Sequence, residues 1–464
     1  MTKKTETPAL GAAGDGLELK HFLERFPRIK YVDAIFVDMS GIARGKRLPV
    51  SDLADLLHEG ILIPESIFSL DVTGDQLDIM GRGGSDGDPD ASGVAIPNTL
   101  VPSPWAGPEY GQVLMRLKED GKRINPAFTE PRNILAAVEA RFTEMGLTPV
   151  VACELEFDLI DPNRGPEGQP QPPFLPGTNR RDTNNQVYGL DHLDYYKPFI
   201  DDLRTWGDAQ GVPTTAISVE FAPAQLEVNL AHQKSALVAC DHAALLRRLV
   251  KGAAKAHGVE ATFMSKPYLD RAGNGFHVHV SLLDKTGRNV FDGNGVNGSE
   301  MLLHAIGGLR ASMAESMAIF SANLNAFRRY QPHLFVPMAT SWGYNNRSVA
   351  IRIPDGPNTA RRLEHRVAGA DANPYLTVAA ILAGMHHGIT NKIDPGKPMT
   401  GNASVQLTPD VPLTQWAALD ALAAGKIIPH YFVGNYAPFY VEAKRKELEK
   451  FMSFVSPLEY EWYL

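Results

Sequence analysis

The sequence predicts an α+β fold in two unequal parts. Three observations predict it. Short apolar runs separated by turn residues fill positions 17–123, helical periodicity begins at Pro131, and strands alternating polar with apolar residues lie between the later helices. Residues 1–16 lack the apolar core of a signal sequence and read as a disordered tail. The string LKHFLERF reads as a helix, followed by a strand pair around YVDAIFVDMSG and IARGKRLPV, with Asp38, Ser40 and Gly41 as the turn, and then a second helix. A Gly/Asp-rich loop is expected over 81–93 and further short strands up to 123.

The second part, 124–464, opens with a helix over 131–145, Pro131 in its first turn and Gly146 at its end. A strand follows at 149–160. Residues 163–191, dense in Pro, Gly and Asn, predict a long surface loop. Further helices are expected at 193–209, 235–257, 299–316 and 369–390, with strands between them.

Bulk properties narrow the function. The 464 residues carry a net charge of −8 and no basic block, which argues against a nucleic-acid partner. Two cysteines, Cys153 and Cys240, give no disulfide framework and read as buried or free thiols of a reducing compartment. No apolar run approaches the ~18 residues of a membrane span, so a cytoplasmic protein is expected.

Four strands carry the chemistry. Alternate residues of a strand share a face. TPVVACELEFDLI therefore puts Glu154 and Glu156 together, about 7 Å apart. SVEFAPAQLEVNL holds Glu220 and Glu227 around a bend at Pro223. NGFHVHVSLLD aligns His277, His279 and Ser281, and RRLEHRVAG aligns Arg362, Glu364 and Arg366. Any one of these reads alone as the wet face of an antiparallel sheet. Together they supply five carboxylates and two imidazoles, a donor set for Mg²⁺ or Mn²⁺; without paired cysteines, zinc is disfavoured. A further stretch, FRRYQPHLFVPMATSWGYNNRSVAIRIPDG, sets Arg328, Arg329, Arg347 and Arg352 among apolar residues. Guanidinium forks suit phosphate and carboxylate oxygens. Metal-binding carboxylates beside arginines are what phosphoryl transfer from a nucleotide requires, although no GxxxxGK[ST] loop is present.

The strings ELEF, SVEFAPAQLEV, GNGFHVHVSL, WGYNNRSVAIRIP and RRLEHRVAGADANPY resemble the glutamine synthetase superfamily over nearly the whole chain. Within it the resemblance is greatest to bacterial γ-glutamylputrescine synthetases, through ERFPRIKYVDAIFVDMSGIARGKRLPV, QPPFLPGTNRRDTNNQVY and ATFMSKPY. The resemblance implies an N-terminal β-grasp domain and a catalytic domain with a curved antiparallel sheet. It implies ATP as co-substrate, L-glutamate and a primary amine as substrates, and two divalent ions per subunit. The homo-oligomer it implies is a dodecamer of two hexameric rings. Glu156, Glu220 and Glu227 would hold one ion, and Glu154, His277 and Glu364 the other. His279 and Ser281 would contact the nucleotide, Arg347 and Arg352 the transferred phosphate, and Arg329, Arg366 and the Gly273 backbone the glutamate. Arg347, Arg329 and Arg366 are the expected catalytic arginines.

Two departures bear on the amine. Where glutamine synthetases carry a flap glutamate for ammonium, this chain has Phe335, a substrate-lining candidate. Where they carry an aspartate in an FDGSS-like string, this chain reads ILIPESIFSLD, whose nearest acid is Glu65, out of register. Losing both acids suits an amine with an alkyl part, putrescine or another polyamine. Alternatives are a monoamine or ethanolamine, glutamine synthesis itself, or an inactive structural relative. Glu65 and Asp71 are the candidates for the base that deprotonates the amine. The adenylylation tyrosine of some bacterial relatives has no counterpart over 396–412.

Overall fold

A computed structural model describes residues 15–118, 130–293, 298–332 and 334–464. The expected boundary at 123/124 and tail residues 1–14 lie outside the described residues. The first helix, Asp15–Arg25, begins inside the expected tail.

The chain is α+β. A six-stranded sheet comprises β1 (Tyr31–Val37), β2 (Ala43–Pro49), β3 (Ile61–Pro64), β4 (Asp90–Ala95), β5 (Val101–Pro102) and β6 (Tyr110–Leu117). Its order is β2-β1-β6-β4-β3, with β5 against β6. It is mixed: β1 and β6 run parallel, while β2 and β4 run antiparallel to their neighbours. Edge strand β2, ARGKRLP, is largely exposed and charged, which discourages pairing with another chain. The β1–β2 turn is held by Asp38, whose Oδ1 accepts from the Ser40 and Ile42 amides at 2.9 and 2.8 Å. Gly41 supplies the required left-handed residue at φ +75°. The expected 81–93 loop ends early, because β4 starts at Asp90.

A second sheet of eight strands comprises β7 (Thr148–Ile160), β8 (Thr214–Val219), β9 (Gln225–Leu230), β10 (Glu260–Thr262), β11 (Phe276–Leu283), β12 (Trp342–Tyr344), β13 (Ile351–Ile353) and β14 (Leu363–His365). Its order is β12-β13-β14-β11-β7-β9-β8, with β10 on β7. All its pairs are antiparallel except β12–β13. The bend expected at Pro223 is a full reversal, with Ala224 at φ +58°, so β8 and β9 form a hairpin.

One face of this sheet is apolar. Cys153, Leu155, Phe157, Val278, Val280 and Leu363 are buried there, within a core that also contains helices Ala236–Ala256, Glu300–Phe320 and Pro374–Asn391. Both cysteines are buried and unpaired. The helix expected at 193–209 is two helices, Leu190–Tyr195 and Lys197–Gln210. Pro198 explains the break, since its ring cannot continue the preceding turn. The helix expected from 369 starts at Pro374, capped by the Asn373 side chain on the Leu376 amide at 3.0 Å. No helix among the described residues is long and apolar enough to cross a membrane.

Candidate active site

Strand register assembles the site. On the open face of the large sheet, β11 pairs with β7 so that His277 lies opposite Glu154. Glu156 lies opposite Glu227 across β7–β9. Glu364 lies opposite His279 on one side and Arg352 on the other. Directly opposed residues have Cβ atoms ~5 Å apart, so a row of acids and imidazoles follows from backbone pairing alone. In this row, ligand atoms of Glu154, Glu227 and His277 all fall within 4.8 Å of one another, and so do those of Glu154, His279 and Glu364.

The row lines a cavity of about 1210 Å³. Glu154, Glu156, Glu220, Glu227, His277, His279, Gly273, Arg329, Phe335, Arg347, Arg352 and Arg366 all border it. Glu364 sits behind them, 1% exposed, its oxygens held by Arg352 at 2.8 Å and by Arg366. Ser281 does not border this cavity. It lines an adjoining one of about 800 Å³, whose wall shares Glu154, Asn229, His279 and Arg362 with the first.

Charge is unbalanced in the row. Burial and the charges of Glu154 and Glu156 push the Glu227 carboxyl up to about 9. Burial and Glu156 push Glu220 up to about 7. Glu154 moves the other way: burial would raise it, but the imidazoles of His277 and His279 outweigh burial and hold it below the usual carboxylate range. Burial likewise opposes ionisation of Glu364, and the Arg366, His277, His279 and Arg352 charges overcome it, holding it at about 2. Oxygen donors crowded until two of them resist ionisation, with imidazoles interleaved, fit hard divalent cations. The grouping differs from the expected one in a particular respect. His279 Nε2, 2.8 Å from Glu154 Oε1, shares a cluster with Glu154 and Glu364, while His277 joins Glu154 and Glu227. Glu154 stands in both.

Backbone proximity explains two glycines. A Cβ on Gly273 would lie 2.5 Å from the Ser265 carbonyl oxygen and 2.9 Å from Arg329 Cγ. A Cβ on Gly275 would lie 2.9 Å from His277 Nε2; its amide instead donates to Glu156 Oε2 at 2.6 Å. Arg329 is 2% exposed, donates to the Val367 carbonyl at 3.0 Å and leaves its Nε without a partner among the described residues. Arg347 is exposed on the cavity wall. Phe335 is held at φ +53° and is half exposed, its ring centroid 6.4 Å from that of Phe221.

The two candidate bases are corrected. Neither Glu65 nor Asp71 borders the cavity of this chain. Glu65 lies 3.9 Å from Arg82. Asp71 accepts from Lys450 at 2.6 Å; despite burial, this contact and Thr73 hold its carboxyl down at about 2, the wrong direction for a base.

Other wall residues were not assigned from the sequence. Arg362 donates its Nε to His279 Nδ1 at 3.2 Å, fixing that nitrogen as the acceptor. Asn229 donates to Glu227 Oε1 at 3.1 Å. Its place two residues after Glu227 on the same strand face was a usable signal. Asn185, Tyr188, Phe221 and Asp270 also border the cavity, and the first two come from the aperiodic loop 163–191, where no pattern marks them.

Known proteins resemble this chain over nearly its whole length. Residues 128–463 match the family model of the glutamine synthetase catalytic domain. The chain is 40% identical over 449 residues to γ-glutamylputrescine synthetase PuuA of Escherichia coli (strain K12), covering 96% of this chain and 94% of that protein. It is 31% identical to a glutamine synthetase of Pyrococcus abyssi (strain GE5 / Orsay), covering 94% of each chain. A solved structure described as a GmaS/ADP complex superposes with a TM-score of 0.82 at 27% identity, covering 96% of this chain and 99% of the other.

Proposed function

From the premise that this chain belongs to the glutamine synthetase family, we propose that it couples ATP cleavage to joining the γ-carboxylate of L-glutamate to a primary amine, putrescine or another polyamine. The observation that carries the reading is the cavity itself. Acids for divalent metal, arginines for phosphate and carboxylate, and an aromatic pair share one wall.

The glutamate γ-carboxylate attacks the γ-phosphorus of ATP, giving γ-glutamyl phosphate and ADP. The amine nitrogen then attacks the acyl carbon, phosphate leaves with the former carboxylate oxygen, and one proton is released. Arg329, with its free Nε, and the close-packed Gly273 backbone orient glutamate. Arg366, anchored on Glu364, aids that orientation. Arg347 and Arg352 neutralise charge on the moving phosphoryl group, a role oriented cations fill without reorganisation at the moment of reaction. His279, fixed by Arg362, and Ser281 contact the nucleotide along the adjoining cavity. Glu154, Glu156, Glu220, Glu227, His277 and Glu364 would hold two Mg²⁺ or Mn²⁺ ions, which when bound screen the phosphate oxygens.

The aromatic pair Phe221–Phe335 favours an amine with methylenes over ammonium. Asp270 and Asp355 border the same cavity and offer carboxylates for a second ammonium, which favours a diamine over a monoamine. Assembly into a dodecamer is supported by the C-terminal apolar surface. Phe451, Phe454, Leu458, Trp462 and Leu464 are all exposed in the single chain, more than a solvated tail retains without a partner. A cytoplasmic setting is supported by the two unpaired cysteines.

The test is phosphate release from ATP with glutamate and, in separate reactions, putrescine, ethanolamine, isopropylamine or ammonium. Putrescine is expected to give the highest kcat/KM. Ammonium as the best acceptor would overturn the amine assignment, and no turnover with any amine in metal-loaded protein would support an inactive relative.

A further inference from the structure

Apart from the active cavity, a cleft of about 420 Å³ separates the small sheet from helix Ala236–Ala256. Four cations border it: Arg247, Arg248, Lys251 and Lys444. The single acid on its wall among the described residues is Asp371, whose oxygens accept from Ser265 Oγ at 2.5 Å and Asn323 Nδ2 at 2.9 Å.

Two of the cations are paired with carboxylates outside the cleft wall. Arg248 donates to Gln112 at 2.8 Å and reaches Asp33 at 3.3 Å. Lys444 donates to Ser40 Oγ at 3.0 Å and lies 3.2 Å from Glu447. The other two have no ion-pair partner in direct contact; Asp371 acts on Arg247 only at longer range. Arg247, 8% exposed, donates only to the backbone carbonyls of Ala370 and Ala372, and its Nε has no partner among the described residues. Lys251, exposed at the cleft mouth, makes no hydrogen bond or ion pair among the described residues. Burial lowers the Arg247 guanidinium to about 10. Arg247 is thus a buried cation with no carboxylate in direct contact, and an anion in the cleft would supply one. Most of the remaining wall, with Ile35, Val37, Val72 and Phe263, is apolar, which suits an organic ligand over a bare inorganic ion.

We infer that this cleft binds a small organic dianion, a phosphate monoester or a dicarboxylate, with the Arg247 and Lys251 side chains as its charged contacts. It is a second ligand site, between the small sheet and the catalytic core, and does not depend on which amine the active cavity accepts. Its floor touches working parts of the enzyme. Asp371 holds Ser265, and the Ser265 carbonyl packs against Gly273 beside Arg329. A ligand here would therefore brace the segment proposed to orient glutamate.

Lys251 is exposed at the cleft mouth, so its replacement leaves the core intact. Equilibrium dialysis of the full, Mg²⁺- and ADP-loaded protein with labelled glycerol 3-phosphate, and separately with labelled succinate, counts bound ligand per chain. For one of the two probes, the wild type should bind one more saturable equivalent than Lys251→Glu, and Lys251→Arg should retain it with Kd within about threefold. Both variants should keep wild-type turnover in probe-free assay. Preference for glycerol 3-phosphate assigns a phosphate monoester, and preference for succinate a dicarboxylate. Equal counts and equal affinities in wild type and Lys251→Glu for both probes overturn the inference.

Discussion

Replacing Phe335 by glutamate supplies the flap acid that the family resemblance implies for this position and tests why this chain lacks it. Two unit charges 4 Å apart interact by ~4 kcal/mol at an effective dielectric of 20. Phe335 is 52% exposed. Solvent screening at a half-exposed position reduces this to about 1–2 kcal/mol, a five- to thirtyfold gain in kcat/KM for ammonium. Putrescine feels the same attraction but loses the aromatic wall shared with Phe221. Two methylenes no longer covered cost about 1.6 kcal/mol, which offsets the gain. The backbone adds no new strain, because Phe335 already occupies φ +53° as a residue with a side chain. Phe335→Glu should therefore raise the ammonium-to-putrescine ratio of kcat/KM about tenfold, with putrescine itself changed by less than about threefold. Phe335→Leu, which adds no charge, should leave ammonium turnover within about twofold. Initial rates of phosphate release over a range of each amine give the ratios. An unchanged ratio, or one shifted toward putrescine, would refute the placement of Phe335 beside the amine.

Glu364 is 1% exposed between Arg352 and Arg366, so Glu364→Ala leaves the buried Arg366 and the partly buried Arg352 without their carboxylate and should cost ~3–5 kcal/mol by denaturant unfolding; a loss under ~1 kcal/mol would contradict this triad. In metal-free protein Glu220 and Glu227 are raised from 4.5 to about 7 and 9, so the folded chain holds more protons than the unfolded one between those values and 4.5. Stability of the metal-free protein should thus fall as pH rises from 5 to 9, and the thermal shift on adding Mg²⁺ should grow over the same range, because bound metal takes over the role of the protons; calorimetry showing a constant or shrinking shift would count against shared ligation. Gly273→Ala forces a Cβ to within 2.5 Å of the Ser265 carbonyl, and should raise KM for glutamate at least tenfold while KM for ATP stays within twofold. Equal effects on both constants would remove the assignment of this backbone to glutamate.

Much of the site was legible because strand periodicity is a local property. Glu154 with Glu156, and His277 with His279, declare a shared face within three residues. What periodicity cannot give is register between strands distant in sequence. That His279, and not His277, lies opposite Glu364 depends on the β11–β14 pairing, set by tertiary packing. The same holds for Glu65 and Asp71, placed near the amine by neighbourhood in sequence. Asp71 is instead committed to Lys450, 379 residues away. Helix ends were legible where a cap or proline marks them, as at Pro131, and misplaced where a turn precedes the cap, as at 369–373. The loop bearing Asn185 and Tyr188 offered breaker residues but no period to say which side chains face inward, so its contribution to the cavity emerges only in three dimensions.

The most direct test of the chemistry follows one oxygen. Glutamate labelled with ¹⁸O in its γ-carboxylate, incubated with ATP, Mg²⁺ and putrescine, should transfer one labelled oxygen to each phosphate released, seen by mass spectrometry together with γ-glutamylputrescine. Unlabelled phosphate, formed while the amide accumulates, would mean that the carboxylate never takes the phosphoryl group, and the proposed role of the metal-lined cavity would be wrong.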